Sequence, residues 1–498
     1  MSRQAVIEPI AGGGVRLASF RGDTPVTHRS VAAIAAGLLA IAPAKAQQVP
    51  NGKADVPVSA RDRFYTSDQF SNTVSVIDPS SNQLLGVIKL GDQTPGNLSP
   101  LYKGQLLVHG MGFSPDGKTL AVVSIGSNSV SFIDTETNKV KHTAYVGRSP
   151  HEAFFRPDGR EVWVSIRGEN YVAVLDGKTF HETGRITVPN GPGMTIFSPD
   201  GRYGFVCSSF SPETVAIDTR TKKVAGRIKQ ASPFCPDLAA TPDGKQVWLT
   251  LKDIGKVMVF DARPPFTVLK TIDTGPITNH VNIARTAKGQ FAYVTVGTEN
   301  VVKVFRTGDF AQVASVPVGA LPHGLWPSGD GSRMYVGLEN ADTVAVIDTA
   351  SNKVIANVPI GQGPQGVAYV PHAVSAGDGR SNLMPLAKAL AKTQLELSGT
   401  GRSQVTLFDQ GQVQILQAAV AGLPPKNDFI LALADRPDGG GKLQPLAKFT
   451  TNPAGSAIVN AVGPIRQVVT AEASNNRRYL VVASGTPDAP GAAVQVQR

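Results

Sequence analysis

The stretch "LPHGLWPSGDGSRMYVGLENADTVAVIDTASNKVIANVPIG" from Leu321 is nearly a paraphrase of "RSPHEAFFRPDGREVWVSIRGENYVAVLDGKTFHETGRITVPN" from Arg148. Self-similarity of this kind constrains a chain more than any composition does. Each copy must be one supersecondary unit that cannot bury its apolar face alone, so neighbouring copies must stack. Aligned on the "PDG" turn or its variants, the register runs "HGMGFSPDG" from His109, "HEAFFRPDG" from His151, "GMTIFSPDG" from Gly193 and "PDLAATPDG" from Pro236. It continues with "HVNIARTAKG" from His280, "HGLWPSGDG" from His323 and "QGVAYVP" from Gln365. The period is about 42–44 residues, the length of a four-stranded propeller blade.

Each unit repeats four short runs rich in β-branched and aromatic residues, as in "HGMGFS", "TLAVVSIG", "SVSFIDT" and "KVKHTAYVG". The "PDG" sets a tight hairpin, because proline fixes one corner and glycine accepts the positive φ of the next. An aromatic recurs four residues after the turn glycine, as Trp163, Phe205, Trp248, Tyr293 and Tyr335, and is expected to pack blade against blade. The first unit supplies only "RFYTSD", "TVSVID" and "LLGVIKLG", and "QGVAYVP" supplies the missing innermost strand from the far end of the repeat region. That exchange closes a ring and removes its open edges. The expected fold is all-β, a seven-bladed β-propeller over residues 61–372. The 51 glycines and 36 prolines agree with a turn-rich chain of short strands.

Phrases such as "AYVTVGTENVVKVF" and "VIDTASNKVIANVPIG" resemble the YVTN family of seven-bladed β-propeller repeats, found in many bacterial exported and surface proteins. The resemblance covers residues 61–372. It implies the fold and little of the function, since that family includes binding modules, surface proteins and relatives of enzymes. After it comes "AVSAGDGRSN", opening what reads as a flexible polar linker over 373–391, with a short helix at "PLAKALAK". Residues 392–498 return to short alternating strands and are expected to form a small β-sandwich.

Ahead of the repeats, "VAAIAAGLLAIA" after Arg29 and the "AKA" ending at Ala46 read as a secretory signal over residues 1–46. The apolar run is too short to span a bilayer, so the mature chain is expected to be periplasmic or extracellular and without a transmembrane segment. The formal charge of +10 shrinks once that leader, with its five basic and two acidic residues, is removed. A mild excess without arginine clusters or interleaved aromatic and basic patches argues against nucleic acid as a partner.

Four of the eight histidines, His109, His151, His280 and His323, occupy one slot at the start of the innermost strand. In ring order blades six, seven, one, two and three contribute His280, His323, Gln365, His109 and His151, which predicts a continuous arc at the mouth of the central channel. Imidazole suits copper, zinc or nickel, so copper or another transition metal is one expected occupant. The arrangement is similar in spirit to nitrous oxide reductase, which puts copper on propeller histidines, although its multi-histidine motifs and its cupredoxin domain are missing here. The other reading is a slot that wants a polar residue to bond loop carbonyls and line a wet funnel, as "PHG" does in YVTN-like repeats. The sequence leaves both open.

Cys207 and Cys235 fall near the same face, and in an oxidising compartment they are expected to form a disulfide, with a thiolate metal ligand as the alternative. Asp68, Arg167, Lys252 and Glu339 follow second strands and are expected near the funnel, Arg167 and Lys252 as anion contacts beside Gln365. Two motif matches are set aside. "GFSPDGKT" fits the phosphate-loop pattern and "GQGPQG" the dinucleotide pattern, yet neither precedes a helix that would hold a phosphate.

The function expected from these features is an exported binding protein presenting a histidine-lined funnel to a small molecule, a metal ion or an envelope protein. An oxidoreductase of copper type, or a lactone hydrolase, acting at the same funnel is the alternative. No catalytic base and acid can be named from the sequence.

Overall fold

Alternating apolar runs of six residues, broken by turns with φ near +70° at Gly117, Gly159, Gly201, Gly244 and Gly331, fold into successive four-stranded antiparallel sheets. The computed structural model describes residues 57–91, 106–387, 392–409, 413–470 and 477–498. The leader expected over residues 1–46 lies outside them. Among the described residues seven such sheets follow the repeat, each running from an inner to an outer strand. In blade II these are Val108–Phe113, Thr119–Ser124, Ser129–Asp134 and Val140–Tyr145. The first is buried throughout, while the last is mostly exposed, as an edge strand facing solvent must be.

The ring closes as the sequence implied. Pro364–Val370 pairs antiparallel with Arg63–Asp68, setting Tyr369 opposite Phe64, so blade I takes its inner strand from the end of the repeat region. Ser67 Oγ bonds both the amide and the carbonyl of Gly366, and the Tyr369 hydroxyl donates to Asp62 at 2.6 Å. The recurrent aromatics wedge the blades together. Trp163 is fully buried and meets Phe197 edge-on at 5.0 Å between ring centroids. A Cβ on Gly204 would lie 2.5 Å from the Trp163 ring, so only glycine lets the next blade approach. Phe205, Trp248, Tyr293 and Tyr335 are equally buried.

The two phosphate-like motifs are turns. Gly117 N–H bonds Ser114 O in the hairpin between Val108–Phe113 and Thr119–Ser124, and residues 361–366 close the turn after Lys353–Pro359 and open the strand Pro364–Val370.

Residues 373–387, expected as a flexible linker, are instead bonded along blades I and II. Thr135 Oγ1 donates to Ala373 O, Arg63 to Asp378 O, Asn138 Nδ2 to Gly379 O and Ser381 O, and Met384 bridges to Val87. Of the helix expected over residues 385–392, residues 388–391 lie outside the described part, residues 385–387 are not helical, and Lys392 opens a strand.

The C-terminal region corrects the β-sandwich expectation. Its eight strands form one antiparallel sheet in the order Leu443–Thr450, Asp428–Ala434, Tyr479–Thr486, Ala489–Gln497, Lys392–Gly399, Gly401–Asp409, Gln414–Val420 and Ala457–Gly463. The two edge strands curl toward each other until they touch, giving a nearly closed barrel around Leu397, Leu407, Leu416, Leu431, Leu480 and Val482. Alternation along a strand marks one apolar face, and both a sandwich and a curled single sheet satisfy it.

This barrel sits on the propeller face that carries the strand starts. Gln417 Nε2 donates to Glu339 Oε1 at 2.8 Å, Gln394 Nε2 to Asn340 O at 2.9 Å and Ala454 N–H to Asp253 O at 3.1 Å. Lys392 Nζ bonds Ala341 O. Phe70 packs on Phe408, and Ile277 and Leu321 pack on Ala419 and Ile458.

Candidate ligand-binding chamber

The histidine slot is the second or third residue of an inner strand, where seven strands converge on the axis. Crowding there explains the glycine that follows it in several repeats. A Cβ on Gly110 would fall 2.1 Å from His151 O, and one on Gly324 would fall 2.4 Å from Gln365 O. Convergence then brings the imidazoles together. His109 and His151 are 4.3 Å apart between ring centroids, His280 and His323 are 4.7 Å apart, and His109 and His323 join the pairs at 6.4 Å. Gln365 lies between the pairs in ring order, its Nε2 buried without a partner.

Each ring is anchored differently. His151 Nδ1 donates to Gly193 O at 2.8 Å, the carbonyl of the repeat that has glycine in the slot. A carbonyl only accepts, so in the neutral ring His151 carries its proton on Nδ1 and Nε2 keeps a lone pair. His323 Nδ1 donates to Glu339 Oε2 at 2.8 Å, and Gln417 bonds the other oxygen of that carboxylate. His280 Nδ1 is 3.7 Å from Asp237 Oδ2 while its Nε2 has no partner. His109 Nδ1 has none either, and Glu152 Oε1 is 4.0 Å away.

Burial decides the charge states. It pushes His109 down to about 3, helped by the charges of His323 and Arg167, and it holds His151 and His280 well below the ordinary imidazole range. Burial also raises Asp237 to about 8 and Glu152 well above the usual carboxyl range. For Glu339 burial acts upward, but the hydrogen bond and charge of His323, with Lys252 and Gln417, win and leave it at about 2. Lys252 is lowered to about 8 by burial, and Arg167 is lowered for the same reason.

Above these groups is a partly open chamber of about 600 Å³. Its floor includes His109, His151, His323, Gln365, Arg167, Lys252 and Glu339, and its roof is Thr450, Asn452, Ser456, Ala457, Ile458 and Asn460 of the barrel. His280 belongs instead to a narrow throat of about 30 Å³ below, with Glu152, Asp237, Met111, Met194 and Trp326. The structure thus brings all three proposed binding side chains and three of the four imidazoles to one space. Asp68 is not in it: three hydroxyls, from Thr66, Thr73 and Ser75, bond its carboxyl inside blade I.

Neither Arg167 nor Lys252 forms an ion pair among the described residues, and the Arg167 guanidinium lies between the rings of Phe210 and Phe234, at 5.6 and 5.4 Å. Cys207 and Cys235 are joined as a disulfide, which ties down the loop bearing Phe234 and Pro236. In the chain-entropy description a loop of this length contributes roughly 3–4 kcal/mol.

Sequence reasoning missed Glu152, Asp237, Gln417 and the whole roof. A signal for the first two existed, since the position after the slot is small or apolar in the other repeats and acidic only at Glu152 and Asp237.

A family model described as a YNCE-like beta-propeller matches residues 25–375. No curated protein matches the chain. Among solved structures the chain is similar to Kuenenia stuttgartiensis hydrazine synthase, with 21% identity and a TM-score of 0.47 over 56% of this chain and 90% of that one. It is also similar to a functionally unknown protein from Desulfotomaculum acetoxidans, with 16% identity and a TM-score of 0.52 over 62% of this chain and 98% of that one. That second likeness shows the fold alone.

Proposed function

Because the chain belongs to the YNCE-like β-propeller family, a grouping by architecture, its activity has to be argued from the chamber, and we propose that it is an exported protein that binds a small anionic molecule there. One observation carries this reading: Arg167 and Lys252 face one partly open cavity, and among the described residues neither makes a contact ion pair, Glu339 acting on Lys252 only through its charge. Two carboxyls line the cavity, and both are already bonded: Glu339 by His323 and Gln417, and Asp253 by the Ser232 hydroxyl. Half-buried positive charge without a contact ion pair is costly, and an anion entering the chamber offsets that cost.

A volume of about 600 Å³ is that of a small-molecule site. Export is supported by the leader-like sequence of residues 1–46 and by the Cys207–Cys235 disulfide, which persists in oxidising compartments.

The test is calorimetric titration of the full chain with malate and with inorganic phosphate, alongside Arg167→Gln and Lys252→Gln. Saturable binding of either anion, weakened about 10–100-fold in each variant, is expected for lost charge-assisted hydrogen bonds. Binding of neither anion, or binding that both variants retain, overturns the reading.

A further inference from the structure

Capture of an anion by Arg167 and Lys252 leaves one group, shared between the chamber floor and the throat below it, without a task. His109, His151 and Glu152 each offer a donor atom, these atoms lie within 4.8 Å of one another, and all three residues are buried. The Glu152 carboxyl faces both imidazoles, with Oε1 at 4.0 Å from His109 Nδ1 and 3.8 Å from His151 Nδ1, too far for a hydrogen bond to either. His109 Nδ1 is buried and bonds nothing. The repeat does not demand an acid at this point, since Gly110, Gly324 and Gly366 hold the same position in blades II, VII and I.

We propose that His109, His151 and Glu152 bind one divalent transition-metal ion of the zinc, nickel and copper class, with a coordination position open to the chamber. Two imidazoles and a carboxylate are a donor set for these ions, and three protein ligands with one open position is the arrangement that admits an exogenous ligand. Metal-to-donor distances of about 2.0–2.2 Å require the donors to close from their present spacing by side-chain adjustments on the order of 1 Å. The Nδ1–H contact of His151 to Gly193 O is the outer bond that orients a ligating imidazole. An ion would at once satisfy the orphaned nitrogen of His109 and the enclosed carboxyl of Glu152. His280 and His323 stay outside this group, so the four-histidine metal arc expected from the sequence narrows to two imidazoles and an acid that the repeat alignment passed over.

The neighbouring Arg167 charge opposes a bare cation, and ionisation of Glu152 on binding offsets it. The site does not rest on the anion reading, and its test separates the two. Full-length protein stripped by a chelator is dialysed against Co(II), and uptake is followed by elemental analysis and by visible d–d absorption, with Zn(II) as competitor. One Co(II) per chain, displaced by Zn(II), is expected, with affinity reduced at least tenfold in Glu152→Gln and in His109→Gln. Arg167→Gln should keep the ion while losing the anion. The surface pair His142 and His181, 5.3 Å apart between ring centroids, is the control for adventitious uptake. No stoichiometric uptake, uptake indifferent to Glu152→Gln, or uptake lost in His142→Ala/His181→Ala overturns the proposal. Should His109→Gln fail to fold, Glu152→Gln, which keeps the side-chain volume, decides alone.

Discussion

The floor and the roof of the chamber are built on opposite plans. The floor is made of repeats, so every charged or titratable group on it is placed by the same backbone geometry, and blade packing holds it rigid. The roof is a single curled sheet that meets the floor through a few polar bonds and two small apolar contacts, Ile277 and Leu321 on Ala419 and Ile458, and Phe70 on Phe408. Its chamber-facing side chains are neutral, with Thr450, Asn452, Ser456 and Asn460 among them. Recognition therefore belongs to the floor and enclosure to the roof. Loops and sheets over a fixed ring commonly divide the work this way, because the ring carries the stability.

The largest effect should come from breaking the floor itself. Trp163 is fully buried between blades, so Trp163→Ala should cost about 3–5 kcal/mol of stability. Urea unfolding monitored by circular dichroism measures it. The roof has its own interior, with Phe429 against Phe449 at 5.8 Å, so the loss should appear in the propeller transition and leave any separate barrel transition in place. Equal displacement of every transition would show instead that floor and roof unfold as one body.

Next in size is the bond that ties the two together. Gln417→Ala removes the roof's hydrogen bond to a buried, ionised Glu339, a loss of about 2 kcal/mol for a bond to a charged group. Amide hydrogen exchange should rise at residues 339–342 and 392–394, where the barrel meets blade VII, while the inner strands of the ring stay protected. Unchanged exchange there would mean that the remaining bonds of Gln394, Lys392 and Ala454, with the apolar contacts, hold the roof without Gln417.

This division also governs what could be read from the chain. The ring was legible because its information is periodic: the "PDG" turns, the aromatic four residues later and the polar slot each recur, so errors in one copy are corrected by the rest. Closure by residues 364–370 followed from counting strands. The imidazoles converge for the same reason, as one slot on adjacent blades must face one axis. The barrel has no second copy, and its alternation specifies a buried face without saying whether the sheet stacks or curls. Its placement over the histidines depends on single contacts such as Gln417 to Glu339, between residues 78 apart with no pattern to announce them. Glu152 and Asp237 were overlooked for the opposite reason. They are exceptions to the repeat, and an alignment that rewards agreement passes over the two positions where an acid replaces a small or apolar residue.

A third effect distinguishes the charges of the floor from the neutral roof by their response to pH. Burial lowers Lys252 to about 8, so its positive charge is present below that value and disappears above it. Asp237 in the throat beneath the floor, raised to about 8, gains negative charge over the same range. Both changes disfavour an anion, whereas Glu339 at about 2 and His109 at about 3 do not change charge there, and Arg167 remains cationic. Affinity for malate, whose carboxylates stay ionised across this range, should fall roughly tenfold per unit above pH 8 if the protonated lysine is required. In Lys252→Gln, weaker overall, most of that slope should vanish, and Asp237→Asn should remove any remainder. A profile rising with pH would reverse the assignment of charge to the floor.

The smallest effect is expected at the roof's rim. Asn460 lines the chamber but is exposed and bonds nothing charged, so Asn460→Ala should change anion affinity by less than about threefold, within the usual range for a surface substitution. Its consequence should lie in the dissociation rate, because a roof residue that only closes the space affects how fast a ligand leaves more than how tightly the floor holds it. Stopped-flow displacement of bound ligand measures this directly. A tenfold or greater loss of equilibrium affinity would mean that the roof contributes to recognition, and the division of labour between the repeated and the unrepeated halves of the chamber would have to be abandoned.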